Sequence, residues 1–241
     1  MRILLIGHGR MGQMIEGLAS EAGHSIEACV DIDNAAALLS LGTLADIAID
    51  FSSPAALPLV ADHIRRTGTA LLSGVTGYAA QDMETFRSLG AYAPVLHSAN
   101  YSIGVAVLRR ALSQMAPSLL GGFDVEIVEA HHNKKADAPS GTAKLLYEAI
   151  DPDHIYTPVY GREGILGARK ANEIGIHALR GGSVAGTHTV SFFGPDEELT
   201  LTHRATSRVI FANGALQAAQ ALVAKPKGCY TLEQILFGGN T

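Results

Sequence analysis

The sequence predicts an α/β chain in two parts: a parallel-sheet domain, then an α+β domain with a mixed sheet of about four strands. Three observations carry that reading. Over the first hundred residues, short apolar runs alternate with helix-like stretches. The glycine-rich turn Gly7-His8-Gly9-Arg10-Met11-Gly12 stands directly between the first apolar run and the first helix-like stretch. After Tyr101 the pattern changes to alternating apolar and polar positions, punctuated by Gly-Gly and Gly-Pro turns.

The apolar runs Ile3–Ile6, Ile26–Val30, Ile47–Phe51, Ala70–Leu72 and Val95–His97 are too short for helices. They are rich enough in Ile, Val and Leu for strands buried on both faces. Between them, Met11–Ala22, Ala35–Leu41, Ala55–Arg66 and Asp82–Leu89 read as helices, with Pro54 suited to a first helical turn after Ser53. Such alternation implies right-handed βαβ units and a parallel sheet. A further helix is expected over Ile103–Met115, ended by Pro117 and Gly121-Gly122, and then a strand over Phe123–Ala130. A polar loop leads to a helix from about Ser140 to Ile150. Asp151–Lys170, with its prolines and glycines, reads as a loop excursion. Ile174–Leu179, Thr187–Phe193 and Leu199–Thr206 read as a meander, and Val209–Ala224 and Leu232–Phe237 as helices returning to the first domain. The expected division is therefore 1–102 with 208–241, and 103–207.

Composition narrows the function. Hydrophobic residues at 47% against charged residues at 17% supply a core and exclude disorder as the main state. Lys and Arg number 18 against 23 Asp and Glu, a formal net charge of −5, which lacks the basic footprint of a nucleic-acid binder. An anionic small molecule would need local cations. Cys29 and Cys229 lie far apart in no metal-type spacing, so neither a disulfide framework nor a structural metal is expected. The first apolar run is too short for an export signal. The longest stretch without Asp, Glu, Lys or Arg, Ser88–Leu108, contains Pro94, His97 and Asn100 and is a poor membrane span. A soluble, cytoplasmic chain is expected.

The glycine turn fits G-x-G-x-x-G in the context that gives the pattern meaning, after a strand and opening a helix. Gly7 would permit the tight turn, Gly9 the approach of a pyrophosphate, and Gly12 close helix–strand packing, which makes the first domain Rossmann-type. Asp31 closes the second strand, where a carboxylate can hydrogen-bond a ribose 2′-hydroxyl and would repel a 2′-phosphate. That favours NADH over NADPH, although Arg10 could reach a phosphate. The alternative for such aspartates is capping of the next helix, which suits Asp33 better than Asp31.

The stretch Glu129-Ala130-His131-His132-Asn133-Lys134-Lys135-Ala136-Asp137-Ala138-Pro139-Ser140-Gly141-Thr142 concentrates cations at the end of a strand. Histidine exchanges a proton near neutral pH, and a partly desolvated lysine can donate one. Ser140 as N-cap, followed by Gly141 and Thr142 in the first helical turn, makes a place for a carboxylate. The combination reads as a dicarboxylate pocket with a proton donor. Paired histidines could ligate a metal, but no third ligand has the right spacing. Lys134 reads as solvated surface, and Asp137 as a loop partner of Lys135 or of the backbone.

At these residues the chain resembles the dihydrodipicolinate reductase (4-hydroxy-tetrahydrodipicolinate reductase) family of lysine and diaminopimelate biosynthesis. The matching motifs are Gly9-Arg10-Met11-Gly12 and His131 through Ala143, the latter fitting H-H-x-x-K-x-D-A-P-S-G-T-A. Asp50-Phe51-Ser52, Gly74-Val75-Thr76-Gly77, Ala99-Asn100-Tyr101-Ser102 and Ser207-Arg208 ahead of Phe211-Ala212-Asn213-Gly214 match as well. The resemblance implies an NAD(P)H-carrying domain, a substrate domain that also builds a homotetramer, and a hinge. It puts the active-site pair on His131 and Lys135. Substrate contacts fall on His132, Ser140, Gly141, Thr142 and Arg208. Cofactor contacts fall on Gly7, His8, Gly9, Arg10, Met11, Gly12, Asp31, Gly74, Val75, Thr76, Ser98, Ala99, Asn100 and Tyr101, with Phe51 near the nicotinamide. The implied reaction reduces a cyclic imine dicarboxylate to tetrahydrodipicolinate. The glycine loop is one residue shorter than the G-A-x-G-R-M-G form of some members. Two other classes stay open: a reductase of a semialdehyde or amino acid on the same two-domain plan, and an NADH-sensing regulator without catalysis.

Overall fold

A computed structural model describes residues Met1–Gly238. The chain divides into two compact units, one made of Met1–Ile103 with the segment from Val209 onward, the other of Gly104–Arg208. Each crossing falls one residue later than the sequence-based division.

The first unit holds strands β1 (Arg2–Ile6), β2 (Ser25–Val30), β3 (Ile47–Asp50), β4 (Ala70–Ser73), β5 (Pro94–His97) and, near the C-terminus, β11 (Gly228–Tyr230). They form a sheet ordered β11-β5-β4-β3-β1-β2, with every pairing parallel. Helices α1 (Arg10–Glu21), α2 (Leu57–Thr67), α3 (Ala80–Ser88), α6 (Val209–Val223) and α7 (Leu232–Phe237) accompany it. The central strands are wholly buried, with Ile3, Leu4, Leu5, Ile47, Ala48, Ile49, Leu71 and Leu72 at 0% exposure, as a sheet covered on both faces requires. Residues Leu4, Ile6, Val60, Ile64, Leu71 and Phe86 share one core cluster, and α6 packs on α1 and on β3, β4 and β5.

Two expectations for this unit are corrected. The predicted helix Ala35–Leu41 is a 3₁₀ stretch, Ile32–Leu39, kinked at Asn34 (φ −129, ψ 19). Its start is fixed by reciprocal capping: Asp31 accepts from the Ile32 N–H, and the Asn34 side chain accepts from the Asp31 N–H at 2.6 Å. The cap is thus Asp31, and not Asp33. The strand β11 was not expected, because three residues are too few to show a period.

The second unit holds β6 (Asp124–His131), β7 (Thr157–Tyr160), β8 (Glu173–Arg180), β9 (Gly186–Phe193) and β10 (Glu198–Ala205), in the order β10-β9-β6-β8-β7. Five strands replace the four expected. The extra strand, β7, lies inside the predicted loop Asp151–Lys170. It is an edge strand, the place where a residue such as Pro158 is tolerated. The meander is corrected too. Strand β8 runs parallel to β6 and β7, and β6 lies between β8 and β9. The helix α5 (Gly141–Ile150) intervenes between β6 and β8, and a helical crossover delivers a parallel strand. Only β9 and β10 are sequential antiparallel neighbours. The helix α4 (Ile103–Leu119) continues past the expected stop at Pro117, which gives up one N–H donor in the last turn.

The register of this sheet explains where its polar residues gather. On β6, Val125, Ile127, Glu129 and His131 alternate onto one face. Their neighbours on β9 are Phe192, Val190 and His188, and on β8 Ile174, Ile176, Ala178 and Arg180. Leu108 and Leu112 of α4 and Ala143, Leu146 and Ile150 of α5 pack on the apolar part of this face. Toward the C-terminal end of β6 the same face turns from hydrocarbon to Glu129, His131, His188 and Arg180.

Candidate active site

Within the first unit the glycine turn opens a cleft of about 420 Å³ at the C-terminal ends of β1 and β2, lined among others by Gly7, Gly9, Asp31, Ile32, Phe51 and Ser52. Its three glycines do different work. Gly7 has φ +86, and a Cβ there would lie 2.8 Å from the backbone of Phe51 and Ser52. A Cβ on Gly12 would collide with the Gly7 carbonyl, so Gly12 sets the closeness of α1 to the turn. A Cβ on Gly9 would meet nothing within 4 Å, so the protein's own packing does not demand glycine there. That cradle beside the N-terminus of α1 is the fit a pyrophosphate needs.

The structure brings Gly7, Gly9, Asp31 and Phe51 to one cleft. His8 pairs with Glu16 at 2.7 Å, and Arg10 and Met11 open α1. Gly74, Val75 and Thr76 follow β4, and Ser98, Ala99, Asn100 and Tyr101 follow β5. These seven residues are not among those that line the cleft. Gly74 is tied to it indirectly, because a Cβ there would overlap the Phe51 ring. Tyr101 is 2% exposed, and its hydroxyl donates to the Ser73 carbonyl at 2.7 Å, so its side chain belongs to the core.

Within the second unit the His-His…Lys stretch leaves β6 and enters α5. His131 Nδ1 lies 2.6 Å from Glu129 Oε2, and Glu129 is at 0% exposure. Arg180 grips that carboxylate with a two-point fork, Nη1 to Oε2 and Nη2 to Oε1, both 2.8 Å. The Ser140 N–H adds a bond to Oε1 at 2.9 Å. Burial alone would raise the Glu129 carboxyl, but Arg180, His131 and the Ser140 N–H together hold it below the ordinary carboxylate range. Lys135 Nζ sits 2.8 Å from Asp137 Oδ1, the loop partnership that the sequence suggested. Arg208 Nη2 reaches His132 Nε2 at 3.1 Å. Burial first, then the neighbouring cations led by Arg208, push the His132 imidazole down.

Ser140 caps α5, its hydroxyl taking the Ala143 N–H at 3.2 Å and meeting His188 Nε2 at 2.9 Å. At 2% exposure its hydroxyl is engaged in capping and with His188, and Gly141 and Thr142 form the first turn of α5 behind it. His188 stacks edge-on to His131 with ring centroids 5.1 Å apart. Burial, reinforced by His131, pushes its imidazole down to about 4, so it is neutral near pH 7.

Sequence reasoning missed Glu129, Arg180 and His188 as members of this cluster. One signal was available, since Glu129 and His131 are two apart on a strand and must share a face. Arg180 and His188 needed the register of β8 and β9, which a single sequence does not display.

A parallel sheet with a dinucleotide-type glycine turn, joined in one chain to a unit bearing a histidine–lysine–carboxylate cluster, defines the class: a two-domain NAD(P)-dependent oxidoreductase. The comparisons name the family. Residues 1–101 match dihydrodipicolinate reductase, N-terminus, and residues 104–236 match dihydrodipicolinate reductase, C-terminus. The chain belongs to the dihydrodipicolinate reductase family. It is 40% identical over 238 residues to the 4-hydroxy-tetrahydrodipicolinate reductase of Exiguobacterium sp. strain AT1b, covering 98% of this chain and 95% of that one. It is 44% identical over 245 residues to the same-named protein of Staphylococcus carnosus, covering 98% and 99%. Among solved structures it is similar to the dipicolinate-bound dihydrodipicolinate reductase of Paenisporosarcina sp. TG-14. That match has a TM-score of 0.75 and 22% identity and covers 98% and 99%, a likeness of fold.

Proposed function

We propose that the chain reduces 4-hydroxy-tetrahydrodipicolinate (dihydrodipicolinate) to tetrahydrodipicolinate with NADH or NADPH, in lysine and diaminopimelate biosynthesis. The observation that carries this reading is the basic loop between β6 and α5. His131 is braced by a buried carboxylate, with Lys135 four residues on and a capped helix N-terminus closing the loop. A redox sensor has no use for that arrangement.

The first unit is the cofactor domain in this reading. Gly7, His8, Gly9, Arg10, Met11 and Gly12 hold the pyrophosphate, and Asp31 takes the ribose hydroxyls, which favours NADH. Phe51, Gly74, Val75, Thr76, Ser98, Ala99, Asn100 and Tyr101 shape the nicotinamide end. When bound, the reduced cofactor supplies the hydride.

The second unit is the substrate domain. One substrate carboxylate sits on the N-terminal turn of α5, at Gly141 and Thr142, where N–H groups and the helix dipole favour an anion. His132, Arg208 and Lys135 neutralise the carboxylates and fix which ring carbon is presented. The 4-hydroxyl leaves as water to give the conjugated ring, and reduction of that ring then requires one proton for each hydride delivered. Lys135 gives that proton to the carbon beside the reduced one, and His131 donates or accepts in support. The protein's part is orientation and electrostatics. The same domain builds a homotetramer, and the enzyme works in the cytoplasm without nucleic-acid or membrane partners. Among the described residues no helix is long and apolar enough to cross a membrane.

The test is a coupled assay. Pyruvate, aspartate semialdehyde and a dihydrodipicolinate synthase generate the substrate in place, and oxidation of NADH and NADPH is followed separately. Rapid oxidation that requires the synthase is the expected result, with NADH the better donor. Lys135→Ala is expected to lower kcat by about 10²-fold or more while leaving NADH binding intact. Near-full turnover by that variant removes Lys135 as proton donor. No oxidation by protein that binds NADH moves the assignment to another substrate or to a sensor.

A further inference from the structure

The Glu129 carboxylate is fully committed. Oε1 accepts from Arg180 Nη2 and the Ser140 N–H, and Oε2 accepts from Arg180 Nη1 and His131 Nδ1. A carboxylate has about four acceptor directions, and all four are used here. It is at 0% exposure, on the central strand β6 near its C-terminal end. A group so saturated has no lone pair left for substrate and no room to exchange a proton itself. Its one titratable hydrogen-bond partner is His131, and an ionised carboxylate can only accept. His131 Nδ1 must therefore carry a hydrogen, which leaves Nε2 as the ring's acceptor.

Gly186 guards that second nitrogen. A Cβ at this position would stand 3.1 Å from His131 Nε2, so glycine keeps the Nε2 edge approachable. Arg180 is braced in turn. Nη2 donates to the Asp137 carbonyl at 2.6 Å and Nη1 to the Leu179 carbonyl at 2.7 Å, which ties the loop carrying Lys135 to the carboxylate.

We infer that Glu129 is the positioning residue of His131, holding Nδ1 protonated so that Nε2 is the atom that exchanges a proton at the substrate, with Arg180 clamping Glu129 in place. The inference rests on the reductase reading for its kinetic consequences, but the tautomer it assigns does not. The groups that face His131 are Glu129 on β6, Arg180 on β8 and His188 on β9, with His132, Lys135 and Asp137 from the loop and Arg208 beyond His132. Of these only Glu129 and Asp137 are anionic. Asp137 is paired with Lys135, so removal of the Glu129 charge leaves the His131 ring with no unpaired anion beside it.

The first experiment is imidazole nitrogen–proton correlation spectroscopy of the wild-type protein with 15N-histidine, His131 being assigned by its loss in His131→Gln. The Nδ1–H form is expected, and finding the Nε2–H form overturns the inference without reference to activity. The second is Glu129→Gln, which keeps the shape and removes the charge. It is expected to lower kcat about 10- to 100-fold with NADH affinity unchanged. In that variant the His131 ring is expected to lose its Nδ1–H preference, an Nε2–H population appearing in the same nitrogen–proton spectrum. An unchanged kcat with the Nδ1–H form retained overturns the positioning role. Should Glu129→Gln fail to fold, the wild-type spectrum still decides. If the wild type shows the Nδ1–H form but no reductase activity, the reaction assignment fails and the tautomer assignment stands.

Discussion

Asp50 shows how one side chain can make stability depend on pH. It ends β3 at 0% exposure. Oδ1 takes the Ser52 N–H at 3.0 Å and the Ser52 hydroxyl at 2.6 Å, while Oδ2 is buried with no partner among the described residues. Burial raises this carboxyl, the Ser52 bonds pull it back, and it stands at about 6. In the unfolded chain an aspartate titrates near ~3.9. A folded value above the unfolded one means that the native state keeps its proton longer. The resulting stabilisation is complete below about pH 4 and is lost as pH rises through about 6. At ~1.4 kcal/mol per unit the whole effect is at most roughly 3 kcal/mol. Wild-type protein should therefore lose stability between pH 4 and 6 relative to Asp50→Asn, which has no proton to release. Denaturant titrations across that window measure it, and parallel stability curves for the two proteins would sink the idea.

At the scale of elements, the junction of β6 with α5 carries the most consequence. Its cap is Ser140, whose hydroxyl also serves the buried His188. Ser140→Ala removes a cap worth about 1 kcal/mol. It also strands a buried imidazole nitrogen at a cost of about 1–3 kcal/mol. A loss of roughly 2–3 kcal/mol in urea unfolding, at unchanged m-value, is expected from the two effects together. A loss under about 0.5 kcal/mol would show that neither bond contributes. Elements differ in how plainly the sequence announces them. Strand β1 carries the apolar run Ile3–Ile6 ahead of Gly7, β3 carries Ile47–Ile49, and α5 is capped by a serine ahead of a helix-forming run, so local chemistry suffices. Strand β7 is a four-residue edge with a proline, and β11 is three residues long, so neither has a period to detect. The 3₁₀ stretch after β2 looks helical in composition, yet the capping by Asp31 and the kink at Asn34 decide its geometry. The site divides the same way. His131, Lys135 and Ser140 are contiguous enough to be read as a motif, whereas Arg180 lies 51 residues from the carboxylate it grips and is brought there only by the β6–β8 register.

At the scale of the molecule, the two units have separate cores, and the proposed function gives each its own ligand. The first core gathers Leu4, Ile6, Val60, Leu71 and Phe86 around the parallel sheet. The second gathers Leu112, Ile127, Leu146, Val190 and Phe192 beneath α4 and α5. A ligand that binds only the folded form stabilises what it binds by mass action, about 2.7 kcal/mol at a hundred times its Kd. NADH should therefore slow amide exchange first in the Gly7–Gly12 turn and around Asp31 and Phe51. A planar pyridine dicarboxylate should slow it at Asn133–Lys135 and in the first turn of α5. Hydrogen-exchange mass spectrometry with each ligand alone resolves the two patterns. Protection by NADH confined to the β6–α5 loop would refute the assignment of cofactor to the first unit. Protection by the dicarboxylate confined to the glycine turn would mean that the cations of the second unit serve another anion. The opposite pattern, each ligand ordering its own loop, is what the proposed acidic ribose reader and basic carboxylate pocket should give, because the charges that would select the two ligands are of opposite sign.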